Sequence, residues 1–353
     1  MRVAYFGTWE HGYPRNEHVI SCLRGAGVEV DEIHVPVWHS QHKFALGPAT
    51  LPRLGLAEAR LALRRVDRAV DALIVGYPGQ FDLPAAKVHR RPVIFNAMIS
   101  LYDTLVEDRR RFQEGSLPAR GLRRIDRFAF RSADALVSDT AANAAAMAEL
   151  AGLERVEVCF VGAEERLFTD QWTRPAEFEA LFVGKLIPLH GLSIILDAAR
   201  LLPEVRFRVV GSGQEVGLLA GRSPNVEHVE WVEYERLPAA YASAGCALGI
   251  FGTSGKAARV IPNKVFQALA SGTPVVTADT PAARELLTHD HDALLVPPGD
   301  APALAREIER LRLDEQLAPR IGAAGRQTFE ERASEEQLGR QWRALVERAI
   351  AAA

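Results

Sequence analysis

Short apolar runs recur along the chain and alternate with longer stretches whose apolar positions return at helical spacing, the signature of βαβ units around parallel sheets. In the first half, Val3 to Phe6, Val28 to Val35, Ala72 to Val75, Val93 to Phe95, Ala135 to Val137 and Val156 to Phe160 predict strands. Asn16 to Arg24, Leu56 to Val70 and the alanine-rich Ala141 to Leu150 predict helices, the last opened by Asp139-Thr140 as a capping start. The second half repeats the scheme with Ala180 to Val183, Phe207 to Val210, Val226 to Val232, Ala247 to Ile250, Pro274 to Val276 and Ala293 to Val296. Between the halves, Phe168 to Glu179 lacks periodicity and reads as a linker, which puts a domain boundary near residue 170. The tail from Arg332 to Ala351 is amphipathic through Leu338, Trp342, Leu345, Val346 and Ile350, and needs an apolar surface to pack on.

Length supports the two-fold reading, since 353 residues is about twice a usual domain. A hydrophobic fraction of 48% with 25% charged residues excludes a disordered chain, and a net charge of -3 gives no reason to invoke nucleic acid. Cys22, Cys159 and Cys246 lie far apart, with no spacing for zinc or a disulfide framework, which suits a reducing cytoplasm. The first apolar run is too short for a signal peptide, and no stretch approaches the roughly 20 apolar residues of a membrane helix. The expectation is a cytoplasmic protein, at most peripheral to the inner face of a membrane. Arg120 to Arg131 is basic and amphipathic, and leaves two readings open: contact with anionic lipid, or an ordinary solvated helix face.

Candidate chemistry concentrates in the second half. Gly184-Lys185 follows a strand and leads through His190 and Gly191 to a helix, the edge at which open α/β sheets bind ligands and a lysine can meet phosphate. Lys185 taken alone reads more readily as a solvated surface side chain. Gly211-Ser212-Gly213 allows close backbone approach, but the third glycine and the downstream acid of a dinucleotide fingerprint are missing, which disfavours NAD. Gly252-Thr253-Ser254-Gly255-Lys256 is a polar turn able to offer N–H groups to phosphate, without P-loop spacing. From Val260 to Thr277, Pro262 suits a helix start, Val265, Phe266 and Leu269 its buried face, and Gly272 its end. Asn263 stands at the start of that helix, and Lys264 and Gln267, three apart, share a face.

In the first half, Gly7 to Asn16 is a long loop after the first strand, and two readings stay open: Arg15 and Asn16 meet an anion at the helix start, or the segment is an ordinary surface loop. His11, His34, His39 and His42 lack the i,i+4 pairing of a metal site. Asp290-His291-Asp292 reads as a turn.

These motifs resemble, in order and spacing, the retaining glycosyltransferases of family 4. The resemblance is carried by Gly184-Lys185 with Gly191, Gly211-Ser212-Gly213, Leu237 to Ala244, Gln267 to Val276, Glu285 and Leu294 to Asp300, and more weakly by Ser100 to Thr104, Asp108-Arg109 and Asp134 to Thr140. It implies an α/β protein of GT-B architecture: a Rossmann-like acceptor domain over 1–170, a nucleotide-sugar domain over 171–335, and a last helix over 336–353 returning to the first domain. It implies transfer of a sugar, with retention and without a metal or other cofactor, from a nucleotide-sugar to a hydroxyl of a natural product, lipid or glycan. Lys185, Arg259 and Asp103 are then the catalytic candidates. Donor contacts fall on Gly184, His190, Gly211, Gly213, Gly252, Thr253, Lys256, Asn263, Lys264, Gln267 and Glu285, and the acceptor wall on Gly7, Arg15, Asn16 and Asn96.

The chain departs from the family where two glutamates stand eight positions apart, since Arg259 and Gln267 occupy those places. Gln267 retains donor and acceptor atoms for a ribose hydroxyl, whereas Arg259 is left to contact phosphate. His190 replaces a second lysine, with a charge that depends on its surroundings. A nucleotide-sugar epimerase of the same fold and a binding protein without turnover are the competing readings.

Overall fold

The computed structural model describes residues 1–38 and 50–353, so His39 and His42 lie outside the described residues. Among the described residues, twelve strands form two six-stranded parallel sheets. The first contains β1 (Arg2–Gly7), β2 (Glu29–His34), β3 (Ala72–Val75), β4 (Val93–Asn96), β5 (Ala135–Ser138) and β6 (Glu157–Val158), in the order β2-β1-β3-β4-β5-β6. The second contains β7 (Glu179–Val183), β8 (Arg206–Val210), β9 (Val226–Val229), β10 (Cys246–Leu248), β11 (Val275–Ala278) and β12 (Leu294–Val296), in the order β12-β11-β10-β7-β8-β9. Central strands such as Ala-Leu-Ile-Val in β3 and Val-Val-Thr-Ala in β11 are buried along their whole length. Helices cover both faces of a parallel sheet, so its strands read as unbroken apolar runs.

Side chains cap the intervening helices. Thr140 accepts from the N–H of Asn143, as expected from Asp139-Thr140, and Ser116, Thr280 and Asp300 accept likewise from Ala119, Ala283 and Ala303. Each such cap is worth about 1 kcal/mol. The helix expected over Leu56 to Val70 is instead Thr50–Leu63. Asp67 ends any continuation, because its carboxylate accepts from the N–H of Ala69 in a local turn, and Val66 and Val70 reach the core from a loop.

The contacts divide the chain into two compact units. The first comprises 1–106, 110–160 and 335–353, and the second 107–109 and 161–334. The division at Phe160 precedes the expected boundary near residue 170, because the intervening segment packs on the second unit. Phe168 meets the rings of Tyr234 and Tyr241, and Trp172 donates to the carbonyl of Ala244. In the first unit, the helices Thr50–Leu63, Leu83–Val88 and Leu117–Ser132 share one core. A separate core joins Pro14–Gly25 to the tail helix Glu335–Ala351 through Ile20, Leu23, Trp342 and Val346. The carbonyl of Cys22 leaves no room for a Cβ at Gly339, so the two helices approach closely.

Candidate phosphate site at the edge of the second sheet

The carboxyl ends of β7 and β8 carry the second unit's glycines. Gly184 and Gly211 follow these strands with φ of 151° and 138°, a region open to glycine and strained for other residues. A Cβ on Gly211 would overlap the carbonyl of Gly184, and one on Gly213 would lie 2.6 Å from the carbonyl of Leu186. Gly252 packs as closely on the carbonyls of Pro188 and Leu189, and Gly191 on the backbone of Phe251 and Gly252. The loops after β7, β8 and β10 are thereby locked into one layer.

A cationic cluster stands on that layer. Lys264, in the helix Asn263–Ala270, is buried, with Nζ 3.5 Å from the ring centroid of Phe182 and no hydrogen-bond partner among the described residues. A Cβ at Gly184 would lie 2.9 Å from this Nζ, so the glycine makes the space that the ammonium fills. Burial drives the lysine pKa well below its usual value. His190 is buried beside it, with Nδ1 against the carbonyl of Lys185 and its ring edge-on to Phe182. Its pKa is lowered well below the usual histidine value, first by burial and then by the positive charges of Lys264, Lys185 and Lys256. His190 is therefore neutral near pH 7. Three lysines stand around a neutral imidazole, which is the electrostatic setting of an anion site.

The remaining second-unit candidates fall around this cluster. Lys185 is exposed immediately after Gly184, and Thr253 is exposed beside Gly252. Gly252 to Lys256 is less turn-like than expected, because Ser254 caps a short helix, Gly255–Arg259, that buries Lys256 and ends on Arg259. Pro262 stands at the cap of the next helix, with Asn263 as its first residue. Gln267 is buried, its Oε1 accepting from Tyr241 Oη at 3.2 Å and its Nε2 donating to Tyr234 Oη at 3.3 Å. Lys264 and Gln267 thus serve different partners. Phe182, Tyr234 and Tyr241 were not foreseen, since each comes from a separate element and lacks a local signal. Glu285 lies in the helix Pro281–Leu286, its carbonyl held by Arg332. Asp290 adopts φ of 62°, and Asp292 accepts from the Thr288 N–H and the Thr328 hydroxyl, so this segment is the expected turn.

The expectations for Arg15, Asn16 and Asn96 need correction. Arg15, Asn16 and Asn96 are wholly buried. Arg15 donates to Asn96 Oδ1 at 3.0 Å and to the carbonyls of Phe160 and Cys159 at 2.6 and 3.2 Å. Asn16 bonds Tyr5 Oη and both backbone groups of Tyr77. Their polar groups tie the unit's strands and loops together instead of facing an anion or acceptor. Gly7, with φ of 129°, makes room for Asp82, whose carboxylate accepts from the N–H of Thr8. Asp103 opens a π-helical turn, Asp103–Asp108, and its N–H donates to Ser100 Oγ.

Residues 177–314 match the model of the group 1 glycosyl transferases. Over 155 residues, 41% of the chain, it is 34% identical to a phosphatidyl-myo-inositol mannosyltransferase of Mycobacterium leprae, covering 40% of that protein. It is 26% identical over 181 residues, half of the chain, to the lipopolysaccharide core biosynthesis glycosyltransferase LpsD of Rhizobium meliloti, covering 52% of it. The matches thus span about half the length of these curated relatives. The fold is that of a sucrose-phosphate synthase from Thermosynechococcus elongatus, at TM-score 0.76 and 19% identity over the whole of both chains. HepE of Anabaena, solved with UDP-glucose, follows at TM-score 0.70 and 18% identity over 99% of this chain and 100% of that one. With parallel sheets in both units and the matching motifs along the edge of the second, the chain has the GT-B fold, and its residues 177–314 are similar to the group 1 glycosyl transferases.

Proposed function

We propose that this protein transfers a sugar from a nucleotide-sugar to an acceptor hydroxyl of a glycan or lipid, and that the lysine cluster at the edge of the second sheet holds the donor's diphosphate. The observation that carries the reading is the buried Lys264 ammonium, without a hydrogen-bond partner among the described residues and held next to Gly184 and His190. An uncompensated buried cation is costly, and a diphosphate oxygen supplies the missing acceptor and counter-charge. As the bond from the anomeric carbon to the diphosphate breaks, negative charge grows on the leaving oxygen. Lys185, Lys256 and Lys264 oppose that charge, with Arg259 assisting, so stabilisation rises toward the transition state.

Side-chain cations do this work without a divalent ion, which supports a metal-independent reaction. Retention of configuration follows from the family resemblance, with the departing phosphate taking the acceptor's proton. Gly211, Gly213, Gly252, Thr253 and Asn263 line the donor's path, Gln267 with Tyr234 meets the ribose, Glu285 lies on the sugar side, and Asp103 serves the acceptor. UDP-sugars are the first donors to try, because HepE was solved with UDP-glucose.

The test is incubation with UDP-, GDP-, ADP- and dTDP-sugars and an acceptor extract in the presence of EDTA. The expected result is a glycosylated product with the donor's anomeric configuration, and a loss of 10²-fold or more, on the order of one oxyanion-type contact, for Lys185→Ala. Interconversion of the free donor, or binding with no transfer from any donor, overturns the proposal.

A further inference from the structure

Outside the donor site, the first unit carries an unusual outer surface. Its helices Thr50–Leu63, Leu83–Val88 and Leu117–Ser132 pack side by side over a common core. Along the outer side of Leu117–Ser132, Leu117, Arg120, Arg124, Arg127, Phe128 and Arg131 recur at spacings of three and four, and all are exposed. Leu117 keeps 81% of its surface in solvent and Phe128 57%. The two neighbouring helices add exposed Leu56, Leu63 and Val88 with Arg53 and Arg60.

The charge on this surface has one sign. The acids of Thr50–Leu63 and Leu117–Ser132 turn inward. Asp126 accepts from Ser100 Oγ and the N–H groups of Leu101 and Tyr102. Glu58 has buried carboxyl oxygens, and burial together with Asp82 pushes its pKa up to about 10, so it is neutral. Among the described residues, Arg120, Arg124 and Arg127 make no ion pair. Other exposed arginines are matched along their helices, as in Arg310 with Glu307, Arg340 with Glu336 and Arg343 with Glu347. The whole chain carries -3, so the basic surface is local.

We propose that the outer surface of these three helices docks the protein on an anionic lipid bilayer, with Leu117, Phe128 and their apolar neighbours entering the headgroup boundary and the arginines contacting lipid phosphates. Interleaved arginine and outward apolar side chains favour this occupant over nucleic acid, where exposed leucine and phenylalanine have no role. Docking would deliver the enzyme to a membrane-borne acceptor. It stands apart from the donor reading, because no residue involved belongs to the donor site.

The experiment is co-sedimentation of the whole protein with phosphatidylcholine vesicles and with vesicles containing phosphatidylglycerol. The expected result is partition into the anionic vesicles only, weakened by added salt. R120E/R124E/R127E should lower it on the order of a hundredfold, at about fivefold for each basic side chain near the surface. Phe128→Ser, which keeps every charge, should reduce it by about tenfold through loss of the apolar anchor. Circular dichroism and UDP binding, followed for each variant, report folding and the donor site separately. Equal pelleting with neutral and anionic vesicles, no pelleting, unchanged partition of the folded charge-reversed variant, or binding to duplex RNA but not vesicles each overturns the proposal.

Discussion

Lys264 concentrates the conflict between stability and function. Its ammonium is buried over the Phe182 ring, and the cation–π contact replaces only part of the lost hydration. Lys264→Met keeps the packing volume and removes an unsatisfied polar group, so the ligand-free protein should gain about 1–3 kcal/mol in denaturant unfolding. The same change should weaken nucleoside diphosphate binding by roughly 10- to 100-fold, since a charge-assisted hydrogen bond is lost. Arg15 should behave oppositely. Arg15→Ala leaves Asn96 and the carbonyls of Phe160 and Cys159 without their donor, and should cost about 3 kcal/mol while leaving diphosphate affinity unchanged. Calorimetric melting and a binding titration on each variant distinguish a structural arginine from an anion-binding one.

At the scale of elements, the glycine loops after β7 and β8 hold the cluster in place. Gly211→Ala would drive a methyl into the Gly184 carbonyl and impose a disfavoured φ, so these loops must part. Donor affinity should fall by at least tenfold while far-UV circular dichroism is retained; unchanged affinity would remove the loops from the donor site. The elements themselves were legible in the sequence because fully buried parallel strands appear as apolar runs between turn signals. Val226 to Val232 shortened to Val226–Val229, and the helix expected up to Val70 stopped at Leu63, where an aspartate turn outweighed apolar spacing. Gly184, Gly211 and Gly213 were readable as strand-end glycines because such positions depend on local backbone geometry. The pairing of Lys264 with Phe182 and of Gln267 with Tyr234 and Tyr241 depends on long-range packing and leaves no trace in spacing. Arg15 shows the converse error: a basic residue at a helix start looks anion-binding until its partners 81 and 145 positions away are known.

For the whole molecule, the two depressed bases link folding to pH. Lys264 and His190 both bind protons more weakly folded than unfolded, so the unfolded chain holds more protons and stability rises with pH. The lysine's share is complete above its unfolded value of 10.5, and the histidine's is lost as pH falls below 6.5 toward its folded value. Between pH 7 and pH 5 the ligand-free protein should therefore lose stability, and nucleoside diphosphate should offset part of that loss by favouring the protonated forms of both groups. Chemical denaturation at several pH values, with and without UDP, checks both the slope and its attenuation.

The claim that the buried cationic cluster is a diphosphate seat is tested most directly by calorimetric titration of UDP, GDP, ADP and dTDP in buffers of different ionisation enthalpy. Wild-type protein should bind at least one of them with net proton uptake, and Lys264→Met should bind it more weakly and take up fewer protons. Binding of none of the four, or equal affinity and equal proton uptake in the variant, would contradict the account.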